Sequence, residues 1–293
     1  MNAGTLRDRR ILSPPMKLRF VIPCFLFLSQ LSYPEPQHGT VFYVEWWKSD
    51  LLTVAADSRS VIGKNGEHSD NRCKISAFGP TFVVTMAGYT ESILTNGKTE
   101  WDAHAIARDI WVTESKAVRS ASKLVPRVSE EWIARMEDIY RRPGILEEER
   151  EFLKGRTLLL GAVFAGTDDM GGMTARAVEI GFNLEALNSG KREFTLKQYD
   201  LLPDAWMSAG DDDVLREHRV PETERAKKFA ALLVPKISTL PTNEQRATLA
   251  TELIKQSVLL EQGADLGLPA DVLQLNRNSG VVWVHRKCTC PAD

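Results

Sequence analysis

Charge of one sign is what this chain conspicuously lacks. Its 37 Lys and Arg stand against 39 Asp and Glu, a formal net charge of -2 over 293 residues. That balance gives no electrostatic case for nucleic acid or an acidic membrane surface. Long apolar runs are missing too, so no stable membrane span is expected. No Gly-rich phosphate loop occurs, and nothing suggests a cofactor. The five histidines, His38, His68, His104, His218 and His285, are scattered, which favours surface or packing roles over metal binding. Cysteine is sparse: Cys24, Cys73, Cys288 and Cys290. The last two are separated by one residue, not the two of zinc and redox motifs, and no second pair exists to complete a four-ligand site. Free or loosely paired thiols are expected, and no metal.

What is present begins with an unusual N-terminus. Residues 1–15 are polar and basic. From Met16, which could itself be the start, Lys17 and Arg19 precede the apolar stretch Phe20–Leu28 and then a polar, Pro-containing segment. That is the layout of a secretory signal. The expectation is export, to a periplasmic or extracellular location; a propeptide or a buried strand is the alternative, and the chain is then cytoplasmic. The expected organisation is a disordered leader over 1–37, one domain over 38–287 and a short tail over 288–293.

Within the domain, β-rich runs and helical periodicities come in groups. Val41–Glu45 and Leu51–Ala56 read as a hairpin across a polar turn, and Lys74–Phe78 and Thr81–Met86 as another across Gly79-Pro80. Apolar residues at helical spacing predict helices over Thr99–Ser122 and Ser129–Tyr140, the second with Glu130 and Glu131 in an acidic first turn. Strands follow at Thr157–Phe164 and Thr174–Gly181 around a turn at Ala165–Gly172, then near Glu193–Tyr199 and Ala205–Ala209. Helices are predicted over Glu222–Leu240 and Asn243–Gln262, and closing strands over Asp271–Leu275 and Val281–Val284. Strands grouped with strands and helices with helices argue against alternating βαβ units. The fold class is α+β, with antiparallel sheets and helices on their outer faces.

The stretch from Gly39 to Gly88 carries the chemistry. It reads GTVFYVEW, LLTVAADSRSV, CKI and FVVTMAGYTES in order. This resembles the opening of proteasome β-type subunits and their bacterial relatives, in the N-terminal-nucleophile hydrolase superfamily. AVFAGTDDMGGMTARAVEIGF and LPADVLQLNRNSGVVWV are similar to that family's later strand pairs, although the likeness is dense only over Gly39–Gly88. The resemblance implies a four-layer αββα sandwich, two antiparallel sheets flanked by helix pairs. It implies a threonine-type endopeptidase or amidohydrolase acting on a peptide or other amide, and a homo-oligomer. Non-catalytic members of the fold, and a secreted binding protein built on it, are the alternatives.

The resemblance also assigns roles. Thr40, exposed by cleavage after Gly39, would be the nucleophile, activated by its own freed amine. Lys74 would lower the effective pKa of that hydroxyl as a fixed positive charge. Asp57 would hold Lys74, Arg59 would brace the loop, and the Gly88 N–H would face the developing oxyanion. Ser208, Asp211 and Asp265 would support the site from outside. The chain departs from the family pattern in three places: Val41 stands where a second Thr is usual, the Ser208–Asp211 motif is not intact, and the Thr40–Asp57 and Asp57–Lys74 spacings are each one residue longer.

Overall fold

A computed structural model describes residues 41–62, 67–70, 72–93, 99–114, 120–141, 158–168, 170–183, 185–186, 189, 193–210, 213–220, 222–260 and 266–287. All of them fall in one unit, Pro34–Asp293. The leader expected over 1–37 and the tail over 288–293 lie outside the described residues.

Two five-stranded antiparallel sheets organise the chain. The first runs β12 (Trp206–Gly210), β1 (Val41–Trp47), β2 (Leu51–Ala56), β13 (Asp271–Asn276), β14 (Gly280–His285). The second runs β11 (Phe194–Leu201), β10 (Met173–Phe182), β9 (Leu158–Thr167), β6 (Phe82–Gly88), β5 (Ile75–Ala77). Two short ribbons, β3 (Ser60–Ile62) with β4 (Glu67–Ser69) and β7 (Glu91–Ile93) with β8 (Thr99–Asp102), stand apart.

The central strands are apolar on both faces because both faces are covered. Phe42, Val44, Val54 and Leu273 of the first sheet pack with Val83, Val163 and Ala177 of the second. The second sheet turns Phe82, Val84, Met86, Phe164 and Val178 the other way, onto Trp111 of α1 (Ala103–Thr113) and Leu124, Trp132 and Met136 of α2 (Ala121–Tyr140). The first sheet turns Val41, Tyr43, Ala55 and Val272 onto Leu215 of α3 (Asp213–His218) and onto Ala250, Leu253 and Ile254 of α5 (Thr242–Leu260). Phe229 of α4 (Glu224–Ile237) packs against the same cluster. Each large apolar side chain so buried contributes about 1.5–3 kcal/mol.

A polar network interrupts this outer face of the first sheet. Glu45 on β1 is buried and accepts from Arg219 Nη2 at 3.0 Å and Arg246 Nη1 at 3.3 Å. The Arg246 guanidinium lies 3.6 Å from the Trp47 ring centroid, and Arg219 sits over Tyr43 and Trp206. Planar guanidiniums suit this dual use, stacking on a ring while donating to a carboxylate.

Several sequence expectations are corrected. The helix expected from Thr99 starts at Ala103: Thr99–Asp102 pairs with β7, and the Asp102 carboxylate caps the helix by accepting the Ala105 N–H at 2.9 Å. The part of that expectation over 115–119 lies outside the described residues. The second helix begins at Ala121, not Ser129, and contains Pro126. Burial of Leu124, Val125 and Val128 outweighs the propensity cost of proline there. Glu130 and Glu131 are therefore mid-helix, and Glu131 instead accepts from Arg135 at 2.8 Å. The strands expected near 193–199 and 205–209 are present as β11 and β12, and they lie in different sheets: β11 joins β10 and β12 joins β1. Among the described residues no helix is long and apolar enough to cross a membrane.

Candidate active site

β2 ends at Ala56, and the next residue leaves the ladder. Asp57 is fully buried, and its carboxylate takes four donors. Oδ1 accepts from the Val41 N–H at 2.8 Å and from Lys74 Nζ at 2.5 Å. Oδ2 accepts from the Arg59 N–H at 3.0 Å and from the Gly267 N–H at 3.2 Å. Carboxylates this deep persist because charged and backbone donors replace water around every lone pair.

Lys74 arrives from the other sheet, one residue before β5. Its carbonyl accepts from the Met86 N–H at 3.3 Å and Thr85 Oγ1 at 3.1 Å, which anchors it to β6. The residue is 4% exposed. Burial pulls its pKa below the ordinary lysine value, Asp57 pulls it back up, Lys287 lowers it further and Asp271 opposes that. Lys74 is thus a paired amine that gives up its proton more readily than a surface lysine.

The loop around this pair is held from several sides. Arg59 makes a two-pronged contact with Asp70, Nε to Oδ1 at 2.6 Å and Nη2 to Oδ2 at 2.9 Å. The Ser58 N–H donates to the Gly267 carbonyl at 3.0 Å and the Arg72 N–H to the Ser58 carbonyl at 3.1 Å. Gly267 passes so close that a Cβ there would come within 2.4 Å of Asp70 Oδ1 and 2.8 Å of the Arg59 Cβ. Ser58 Oγ is buried and finds no hydrogen-bond partner among the described residues.

Gly88 ends β6, two residues past Met86 on the strand beside Lys74. Its φ is +96°, and a Cβ would lie 2.1 Å from the Leu159 carbonyl oxygen. Only glycine accepts both conditions. Ser208 lies on β12 opposite Tyr43. Since Met207 and Ala209 face the space between the sheets, alternation turns Ser208 toward the helix side with Trp206. Gly39, Thr40, Asp211 and Asp265 lie outside the described residues.

Two solved structures are similar to the chain at low identity. The chain is similar to Anbu (ancestral beta-subunit) from Yersinia bercovieri, at TM-score 0.48 and 14% identity, over 84% of this chain and 86% of that one. It is similar to an Anbu (Gly-1) mutant from Hyphomicrobium sp. strain MC1, at TM-score 0.42 and 15% identity, over 83% and 85%. Both are Anbu proteins, which gives no clear assignment to the proteasome β-subunit family. The family expected from the Gly39–Gly88 motifs is corrected accordingly. No protein-family model and no curated protein matches the chain.

Sequence reasoning missed three members of the site. Gly267 and Asp271 sit in the turn and strand that close over Asp57, and Lys287 ends the described chain. Lys287 Nζ lies 2.9 Å from Asp271 Oδ2, and both side chains are buried. The one available signal was a charged residue, Asp271, opening a strand as apolar as Val272–Leu275. A further correction concerns Cys73, beside Lys74: it is disulfide-bonded, with its partner outside the described residues. Spacing along the chain cannot reveal a thiol brought close by folding. Among the described residues no three His, Cys, Asp or Glu side chains converge as a metal site would need.

Proposed function

We propose that the chain is a threonine hydrolase that cleaves a peptide or other amide bond through Thr40, freed at its amine by cleavage after Gly39. The observation that carries this reading is the shared oxygen of Asp57. It accepts from Lys74 Nζ at 2.5 Å and from the N–H of Val41, the residue bonded to Thr40, at 2.8 Å. A Thr hydroxyl is inert without a base, and in this reading the freed α-amine serves as that base beside the buried Lys74.

In this mechanism Thr40 Oγ1 attacks the substrate carbonyl carbon. Its proton passes to the amine base, and the Gly88 N–H stabilises the oxyanion. Collapse breaks the C–N bond, the base returns the proton to the leaving amine, and an ester remains on Thr40. Water then attacks the ester by the same route, releasing the acid and restoring the hydroxyl. Asp57 keeps Lys74 in place throughout, Arg59 braces the loop from behind, and Asp211 and Asp265 are the outer support; Ser208, turned to the helix side, is left out.

The same proposal includes the four-layer αββα arrangement of N-terminal-nucleophile hydrolases, supported by apolar clusters on both faces of each sheet. It includes export, supported by a disulfide at Cys73, since such bonds persist mainly in oxidising compartments. It includes homo-oligomers, supported by exposed Leu232 and Val234 on α4 and Leu259 and Leu260 on α5.

Intact-mass analysis of the mature protein, paired with turnover of a fluorogenic peptide amide, tests the reading. The expected result is a chain beginning at Thr40 whose activity disappears in Thr40→Ala and Lys74→Ala. A mature chain beginning upstream, or a Thr40→Ala variant that retains turnover, overturns it and leaves a non-catalytic protein on this fold.

A further inference from the structure

A second buried Lys–Asp pair stands beside the first. Lys287 closes on Asp271 twice, through its side chain at 2.9 Å and through its own N–H to Asp271 Oδ1 at 2.9 Å. Lys287 Nζ also donates to the Arg72 carbonyl. Asp271 pairs across the sheet with Ala56, the residue before Asp57. Arg72 lies two residues before Lys74. The two pairs therefore share their backbone: the acids flank the β2–β13 junction, and the lysines meet at the segment Arg72–Lys74.

Stability alone gives little reason for this arrangement. Burying an ion pair is often no better than packing apolar side chains of the same volume, and lysines are seldom buried at all. We propose that Asp271 and Lys287 are positioning residues for Lys74, anchoring the backbone just ahead of it and setting the balance of charge in which its amine works. The chemical use of that setting rests on the hydrolase reading above; the setting itself does not.

The charges around Lys74 have definite signs. Asp57 and Asp271 favour its protonated form, and Lys287 opposes it. Arg72 on that segment is paired with Glu91 at 2.5 Å, and Arg59 on the Asp57 loop with Asp70 at 2.6 Å. Removing one member of the second pair thus moves Lys74 in a direction set by which member is lost. A purely structural role predicts no such opposition: loosening the site would move Lys74 toward the ordinary lysine value in both variants.

The decisive measurement is NMR titration of Lys74 in the full chain, labelled at the lysine ε-carbon, with Lys74→Met identifying the signal. Lys287→Met should move the Lys74 titration up and Asp271→Asn should move it down, each by about one pH unit, the usual size of environmental shifts. The double variant, which leaves neither charge unpaired, should return close to wild type. Shifts of the same sign, or none, overturn the inference. If Asp271→Asn does not fold, Lys287→Met and the charge-keeping Lys287→Arg decide together: an upward shift in Lys287→Met that Lys287→Arg does not show supports the inference, and equal titrations in the two refute it. The pH profile of amide turnover should shift with the NMR titration. Opposed NMR shifts in a protein that turns over no amide sustain the positioning role and sink the hydrolase reading. Turnover with an unmoved Lys74 does the reverse.

Discussion

Val41 and Asp57 hold each other by two opposed hydrogen bonds. The Val41 N–H donates to Asp57 Oδ1 at 2.8 Å, and the Asp57 N–H donates to the Val41 carbonyl at 3.1 Å. The start of β1 and the end of β2 are thereby tied at the point where Lys74 enters. A strand beginning is ordinarily free to fray; this one is bonded to a buried carboxylate that is itself fixed by a lysine from the other sheet.

That relationship makes the Asp57–Lys74 pair asymmetric under mutation. Asp57→Asn leaves the Lys74 amine buried without a counter-charge, which should cost about 3–5 kcal/mol. Lys74→Met leaves Asp57 with the Val41, Arg59 and Gly267 N–H donors, so it should cost distinctly less. Urea unfolding of the two variants measures the difference. Equal losses would show that the backbone donors do not hold the carboxylate.

Gly88→Ala should lose about 2 kcal/mol or more, because both its positive φ and the nearby Leu159 carbonyl oppose a Cβ. Gly79, also at positive φ but with nothing within 4 Å of a Cβ, should tolerate alanine at a smaller loss. Thermal unfolding of both variants separates the dihedral penalty from the steric one.

Acid should weaken the fold through His104. Burial lowers its pKa from 6.5 to about 4, partly opposed by Asp102, and its Nδ1 lies 2.9 Å from Ser76 Oγ. A folded pKa below the unfolded one means that the unfolded chain takes up the proton first. The stabilisation is complete above the unfolded value and is lost as pH falls from about 6.5 toward 4. Between pH 7 and 5 this should remove about 1–2 kcal/mol. His104→Gln keeps a hydrogen bond to Ser76 within reach and cannot titrate, so its urea midpoint should change less over the same interval.

Glu45→Leu should destabilise by about 3 kcal/mol, since it leaves Arg219 and Arg246 packed on aromatic rings without the carboxylate they share. Adding Arg246→Met should recover part of that loss, because one stranded charge is removed. If the double variant is as unstable as the sum of the singles, the network is not coupled.

Much of the fold was legible because it rests on local signals. The β1–β2, β5–β6, β9–β10 and β13–β14 hairpins follow from β-rich runs around turn residues, and α4 and α5 from helical periodicity. What local signals did not give is pairing. Thr99–Asp102 has helical neighbours but forms a strand with β7, and β11 and β12, adjacent in sequence, join different sheets. In the site, Asp57, Arg59, Lys74 and Gly88 were legible as residue types in order. Gly267, Asp271 and Lys287 were not, since each meets the Asp57–Lys74 region through chain that returns more than 200 residues later.

The sequence by itself determined the α+β class, the antiparallel hairpins and an Asp and a Lys at one spacing, because period, turn chemistry and residue type act over a few positions. Only the tertiary structure decided that those two side chains meet at 2.5 Å, that four donors converge on one carboxylate, and that a second ion pair stands beside them. The physical reason is desolvation: a charge is driven to find its partners only when folding removes the water that would otherwise serve it.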